Sequence, residues 1–321
     1  MNSFKLMKII KYLTLDLNMN KVLFLTLFFL LSFSAYSQTA DEYFNSGNDK
    51  GNLEDNIGAI DDYTKAIEIN PQFTDAYYNR GITKVSLEDY RGAIDDFTKA
   101  IKINPKYFNA YYNRGAAKSN LKDYKGAISD YTKAIEINPK IAEAFCNRGN
   151  AKDNLKDHIG AIADYTKAIE INPEYFEAYY IRGFAKYKAK NYRGAIADFT
   201  KAIEINPEYA EAYEDRGNAK IYLEDYRGAI ADQTKVIEIN PQNDYAYYNR
   251  GVAKSNLKDY KGAISDYTKA IEINPQYAKA YYNRGITKIL IIQKDSGCLD
   301  LSKAGELGDS AAYDVIKKYC Q

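Results

Sequence analysis

The seven prolines of this 321-residue chain stand at Pro71, Pro105, Pro139, Pro173, Pro207, Pro241 and Pro275, each 34 residues after the last. A fixed period of this length marks an array of one small supersecondary unit, each copy burying its apolar face against the next. Seven consecutive 34-residue repeats run from Ala40 to Tyr277, and an eighth begins at Ala278 before its pattern drifts. Positions within a repeat are numbered 1 to 34 below.

Repeat two, residues 74–107, shows what one copy folds into. Tyr77, Gly81, Lys84 and Leu87 recur at helical spacing in its first half, and Ala93, Ile94, Phe97, Ala100, Ile101 and Ile103 in its second. Spacings of three and four place each set on one side of a helix. Glu88 to Gly92 reads as a turn between them, and Asn104-Pro105 ends the second helix, because the residue before proline is pushed out of helical geometry. Each repeat is therefore expected to be a helix pair, A then B, that needs its neighbours to bury its stripe.

The residues that carry this pattern are Tyr77, Gly81, Ala93, Phe97 and Pro105, then Tyr111, Gly115, Ala127, Tyr131 and Pro139, and so on to Tyr247, Gly251, Ala263, Tyr267 and Pro275. In them the chain resembles the tetratricopeptide repeat (TPR) family over residues 40 to about 307. The resemblance implies an all-α fold, a right-handed α-solenoid of helix-turn-helix units. Residues 308–321 would add a capping helix over its open end, so deleting them should expose apolar surface. Two positions depart from the family. Position 7 is Arg from Arg80 to Arg284, and position 11 is Lys from Lys50 to Lys288. Helix B answers with Asp62, Asp96, Asp130, Asp164, Asp198, Asp232, Asp266 and Asp300 in register, which reads as a structural Arg–Asp pairing along the A/B seam. The tyrosine excess has a similar cause: positions 4, 5, 17, 24 and 34 hold 25 of the 32, and most are packing residues.

In TPR proteins the concave groove is lined by helix A at positions 2, 5, 6, 9, 12 and 13. Here position 6 holds Asn79, Asn113, Asn147, Asn249 and Asn283, and position 5 holds Tyr78, Tyr112, Tyr180, Tyr248 and Tyr282. An Asn side chain both donates and accepts, so an evenly spaced row suits the main chain of an extended peptide, as in related superhelices with an asparagine ladder. The competing use is internal, with each Asn solvating the groove or tethering the neighbouring helix. Repeats five and six break the regular lining with Ile181, Phe184, Tyr187, Glu214, Asp215, Ile221 and Tyr222. An apolar patch beside acidic residues fits a partner offering an apolar anchor next to Lys or Arg. Cys298 and Cys320 flank the Gly308 turn at similar distances, which brings them face to face in a hairpin and fits a disulfide; Cys146 remains a lone thiol.

Chemistry is scarce. One His and three Cys leave little for a metal site or a cysteine–histidine pair, no phosphate-binding glycine motif occurs, and the carboxylates follow the repeat instead of forming a pair. No enzyme and no cofactor are expected. A net charge of +1 argues against nucleic acid. Lys21, the apolar run Val22 to Phe33 and Ala35-Tyr36-Ser37 read as a signal peptide within residues 1–37, with residues 1–18 a candidate over-called start; the apolar run is short for a membrane span. The resulting expectation is an exported protein, periplasmic or secreted in a bacterium. It would bind a protein or peptide partner in its groove, with a glycan or small-molecule groove and a structural envelope spacer as the alternatives.

Overall fold

A computed structural model describes residues 38–320; the signal peptide expected within residues 1–37 lies outside them. The described residues form helices and no strands, in two compact bodies that divide between Leu121 and Lys122. The first body holds α1 (Ala40–Asn52), α2 (Asn56–Ile69), α3 (Thr74–Ser86), α4 (Tyr90–Ile103) and α5 (Phe108–Asn120). The second holds α6 (Tyr124–Ile137), α7 (Ala142–Asn154), α8 (His158–Ile171), α9 (Phe176–Lys188), α10 (Tyr192–Ile205), α11 (Ala210–Tyr222) and α12 (Tyr226–Ile239). It continues through α13 (Asp244–Asn256), α14 (Tyr260–Ile273), α15 (Ala278–Leu290), α16 (Lys294–Glu306) and α17 (Ala311–Tyr319). In each body consecutive helices pack on one another, so the A/B hairpins stack in chain order. Among the described residues no helix is long and apolar enough to cross a membrane.

Local chemistry explains the boundaries. In repeats one to seven helix B begins at an Asp or Asn whose side chain accepts from the backbone N–H three residues on, as when Asp89 accepts from Gly92 at 2.9 Å. That N–H belongs to glycine because a Cβ on Gly92 would fall inside the Asp89 carboxylate. Helix B ends at Asn-Pro, with Asn104 already extended (φ −122°, ψ 92°). Between the helices one residue per repeat is left-handed, from Glu54 to Ile292, with φ between 59° and 68° and never a glycine. Such a conformation costs an L-residue about 1–2 kcal/mol, so hairpin packing imposes the turn. A second close approach sits in the core: a Cβ on Gly81 would lie 2.7 Å from the Phe97 ring, so the position-8 glycine lets the position-24 ring meet helix A.

A repeated ionic clamp locks the hairpins. In repeat five, Arg182 donates twice to Asp198 (2.9 and 2.7 Å) and once to Thr166 on α8, at 3.0 Å. Lys186 adds a contact to the same carboxylate at 2.7 Å. One guanidinium thereby joins its own A and B helices to the preceding B helix. Arg80, Arg148, Arg216, Arg250 and Arg284 repeat the arrangement. Asp198 is only 4% exposed, so its carboxylate is buried and the bidentate geometry offsets its desolvation. Repeat one has Ser46 instead of Arg, and Ser46 and Lys50 serve Asp62, each at 2.6 Å. Burial works to raise the Asp62 carboxyl, but hydrogen bonds from Lys50 and Ser46, with the charges of Lys50 and Lys65, hold it below its ordinary range.

At the C-terminal end α17 packs on Leu301 and Ala304 of α16 through Ala312, Val315 and Ile316. A disulfide joins Cys298 to Cys320 across this hairpin, with Cα atoms 5.8 Å apart. Cys146 is a buried free thiol, pushed up to about 11 chiefly by burial.

Candidate functional site

The position-6 asparagines turn out to reach sideways. Asn79 donates to Asn48 at 2.8 Å and Asn113 to the Tyr78 hydroxyl at 2.9 Å in the first body. Asn249 donates to Asn218 at 2.9 Å and Asn283 to the Tyr248 hydroxyl at 3.0 Å in the second. A rule accounts for the choice. Where the preceding A helix carries Asn at position 9, that side chain accepts; where it carries an apolar residue, the position-5 tyrosine accepts. The Asn Nδ2 groups thus tie adjacent A helices together, the internal of the two uses considered for them. Asn147 is half-buried and Asn249 buried.

The position-5 tyrosines are half-buried for a related reason. Tyr78 lies between Phe97 and Tyr107, with ring centroids at 5.8 and 5.0 Å. Tyr180 lies between Phe199 and Tyr209 (5.7 and 4.9 Å), and Tyr248 between Tyr267 and Tyr277 (5.9 and 5.0 Å). Tyr112 stacks on Phe108, and Tyr282 packs against the α16–α17 core. Burial raises the phenols of Tyr78, Tyr180 and Tyr248.

In the second body the variable residues of repeats five and six come together with parts of repeat seven. Ile181 packs inward, against the core around Tyr165 and Ile169. Phe184 stacks between Tyr180 and Tyr187, with the Lys188 ammonium 4.5 Å above its ring. Tyr187 meets Tyr222 at 5.9 Å, and Tyr222, still 61% exposed, lies parallel to Tyr192 at 4.7 Å. Beside them is a cleft of about 170 Å³, lined by Tyr187, Asn218, Ile221, Tyr222, Tyr245 and Tyr248 with Asn249 and Val252.

Asp215 lies one helical turn before Asn218 of this cleft and is not itself in the lining. It accepts from the Tyr180 hydroxyl at 3.0 Å and from the Asn218 amide, yet burial still raises its carboxyl, with help from Glu211. Glu214 accepts from Asn243 at 2.9 Å and is likewise raised, first by burial and then by the charges of Asp215, Glu211 and Asp244. Below sits Gln233, wholly buried where the other repeats carry Tyr, Phe or Leu. Its amide N–H reaches the Glu214 carbonyl at 3.2 Å and Asn218 Oδ1 at 3.4 Å, and its Oε1 has no partner. Gln233, Asn218 and Tyr245 are absent from the sequence-level candidates. Two had a signal: Gln233 breaks an otherwise apolar or aromatic column, and Tyr245 is the aromatic residue in a position-2 column of polar and charged ones. Among the described residues no group of three His, Cys, Asp or Glu side chains is arranged to hold a metal ion.

Family models described as tetratricopeptide repeat match residues 74–107, 108–141, 142–175, 176–209 and 245–277, and a second model of that description matches 210–243. No curated protein sequence matches. Among solved structures, YrrB, described as a TPR protein with an unusual peptide-binding site, is 26% identical with a TM-score of 0.54; the match covers 59% of this chain and 97% of that one. The C-terminal part of a TPR repeat-containing protein from Cytophaga hutchinsonii is 20% identical with a TM-score of 0.65, over 74% of this chain and 98% of its own. A tetratricopeptide repeat protein from Parabacteroides merdae is 22% identical with a TM-score of 0.55, over 77% and 99%.

Proposed function

This chain belongs to the tetratricopeptide repeat family, and from that premise we propose that it is an exported scaffold binding a partner protein as an extended peptide laid along its A helices. The reading is carried by the cleft of repeats five to seven, whose lining comes from positions 2, 5, 6, 9, 12 and 13 of helix A. These are the positions with which TPR proteins line their peptide groove. YrrB, similar in fold and 26% identical, is described as having a peptide-binding site, which supports the same use here.

Exposed aromatic rings favour such contacts because they bury large area at little entropic cost. The test is an array of random 12-residue peptides probed with the full chain and with a Tyr187→Ala/Tyr222→Ala double variant. Retention of a defined set of peptides, reduced in the variant, supports the reading. Equal retention by both proteins, or capture of glycans without peptides, overturns it. Export rests on the apolar run from Val22 to Phe33 and the small residues Ala35 and Ser37. N-terminal sequencing of the full chain expressed in a bacterium should find a new terminus at Gln38; an intact Met1 on all of the protein would remove export from the reading.

A further inference from the structure

We propose that the cleft between α9, α11 and α13 takes a basic side chain of the bound peptide, an arginine before a lysine. This deepens the peptide-binding reading and rests on it. Charge is the first argument. The buried carboxylates of the seam, such as Asp198 and Asp232, each hold an Arg and a Lys. Glu214 and Asp215 are half-buried as well, and among the described residues neither has a basic partner. Position 6 is a neutral Asn in repeats one to four, seven and eight, so Asp215 adds a negative charge at one point of an otherwise uncharged column.

Shape is the second. Tyr187, Tyr222, Tyr245 and Tyr248 line the cleft, and the faces of tyrosine rings attract a cation, a guanidinium best of all because it stacks flat. Its volume of about 170 Å³ is below that of a drug-sized site and suits one side chain. Hydrogen bonding is the third. Asn218 lines the cleft and is locked on its Oδ1 by Asn249 and Gln233, which turns its amide donor to Asp215. Asp215, which already accepts from Tyr180 and Asn218, is thereby held behind the cleft wall, where its charge acts on a guanidinium seated among the rings. Behind Asn218, the buried Gln233 leaves its Oε1 unpartnered in a column that is apolar or aromatic elsewhere.

The test uses peptides recovered from the array, remade with each Arg replaced by Lys, by neutral citrulline or by Glu, and titrated into the full chain by fluorescence polarisation. The arginine form is expected to bind about tenfold more tightly than the citrulline form, with lysine between and glutamate weakest. Asp215→Asn, which restores the residue of six other repeats and so leaves the fold intact, should erase the arginine–citrulline difference. Tyr222→Ala, at an exposed ring, should weaken all forms. Equal binding of arginine and citrulline forms, or an unchanged difference in Asp215→Asn, overturns the assignment while peptide binding stands. If the array retains no peptide, the broader reading fails, and arginine amide then decides the cleft alone. Shifts of the Tyr187 and Tyr222 ring resonances, absent in Asp215→Asn, support it; unmoved resonances overturn it.

Discussion

Repeats five and six lie side by side in the second body and share one framework, yet they spend it differently. Both keep the clamp, Arg182 with Asp198 and Thr166 in one, Arg216 with Asp232 and Thr200 in the other. Where repeat five fills its interior with Tyr180, Ile181, Phe199 and Tyr209, repeat six has Glu214, Asp215, Gln233 and Asn243. A largely aromatic contact becomes a network of amides and carboxylates with one acceptor left over, a fault worth about 1–3 kcal/mol. Because the seam carries the register, the face above it is free to diverge. Divergence at that face is where a ligand would be read.

The sharpest way to break the contrast is to attack the shared part. Asp198→Ala leaves Arg182 and Lys186 facing a partly buried vacancy and should cost about 3–5 kcal/mol in urea denaturation. Asp232→Ala should cost the same despite its different surroundings. A loss under about 1 kcal/mol in either would mean that the seam does not hold the hairpin. Phe199→Ala, at a fully buried ring, belongs in the same range. Next in size, Gln233→Phe makes repeat six like repeat five and removes the orphan acceptor. It should raise stability by about 1–2 kcal/mol, and no gain would show that the buried amide is satisfied in solution. A smaller gain, about 0.5–1 kcal/mol, is expected from Ile292→Gly, which relieves a β-branched residue at φ 67°.

Titration separates the two kinds of carboxylate with the least effect but opposite signs. Asp62 is lowered, so its contribution is present above its unfolded value and is lost as pH falls through the folded one. Asp215 and Glu214 are raised, so ionisation in the fold is penalised; their favourable contribution exists below the unfolded values and is lost as pH rises through the folded ones. Asp215→Asn and Glu214→Gln should therefore stabilise modestly at pH 7, a difference that disappears below about pH 4. Ser46→Ala should instead destabilise at pH 7 and converge with the parent in acid. Thermal melts across pH read both.

Much of this was visible in the chain itself. The proline interval marks the B-helix ends of repeats one to seven, and the Arg and Asp columns announce the seam. The third partner of the clamp was not legible, because Thr166 lies on the preceding B helix and looks like one more exposed helical threonine. The asparagine column was ambiguous for the same reason: whether Asn249 faces a ligand or the next helix depends on Asn218, 31 residues earlier. Once position 9 is read together with position 6, the choice follows, but nothing in a single repeat says to read them together.

What the amino-acid order determined alone is the helix pair, its turns and its stacking, since a stripe repeated every 34 residues can be buried only against its own copies. Tertiary contact decided which polar atoms are consumed between repeats and which are left over, because hydrogen bonds are settled by side chains meeting across helices within about 3 Å. Periodicity carries the average repeat. The carboxylates without a cation and the unmatched amide oxygen of repeat six exist only in relation to their neighbours.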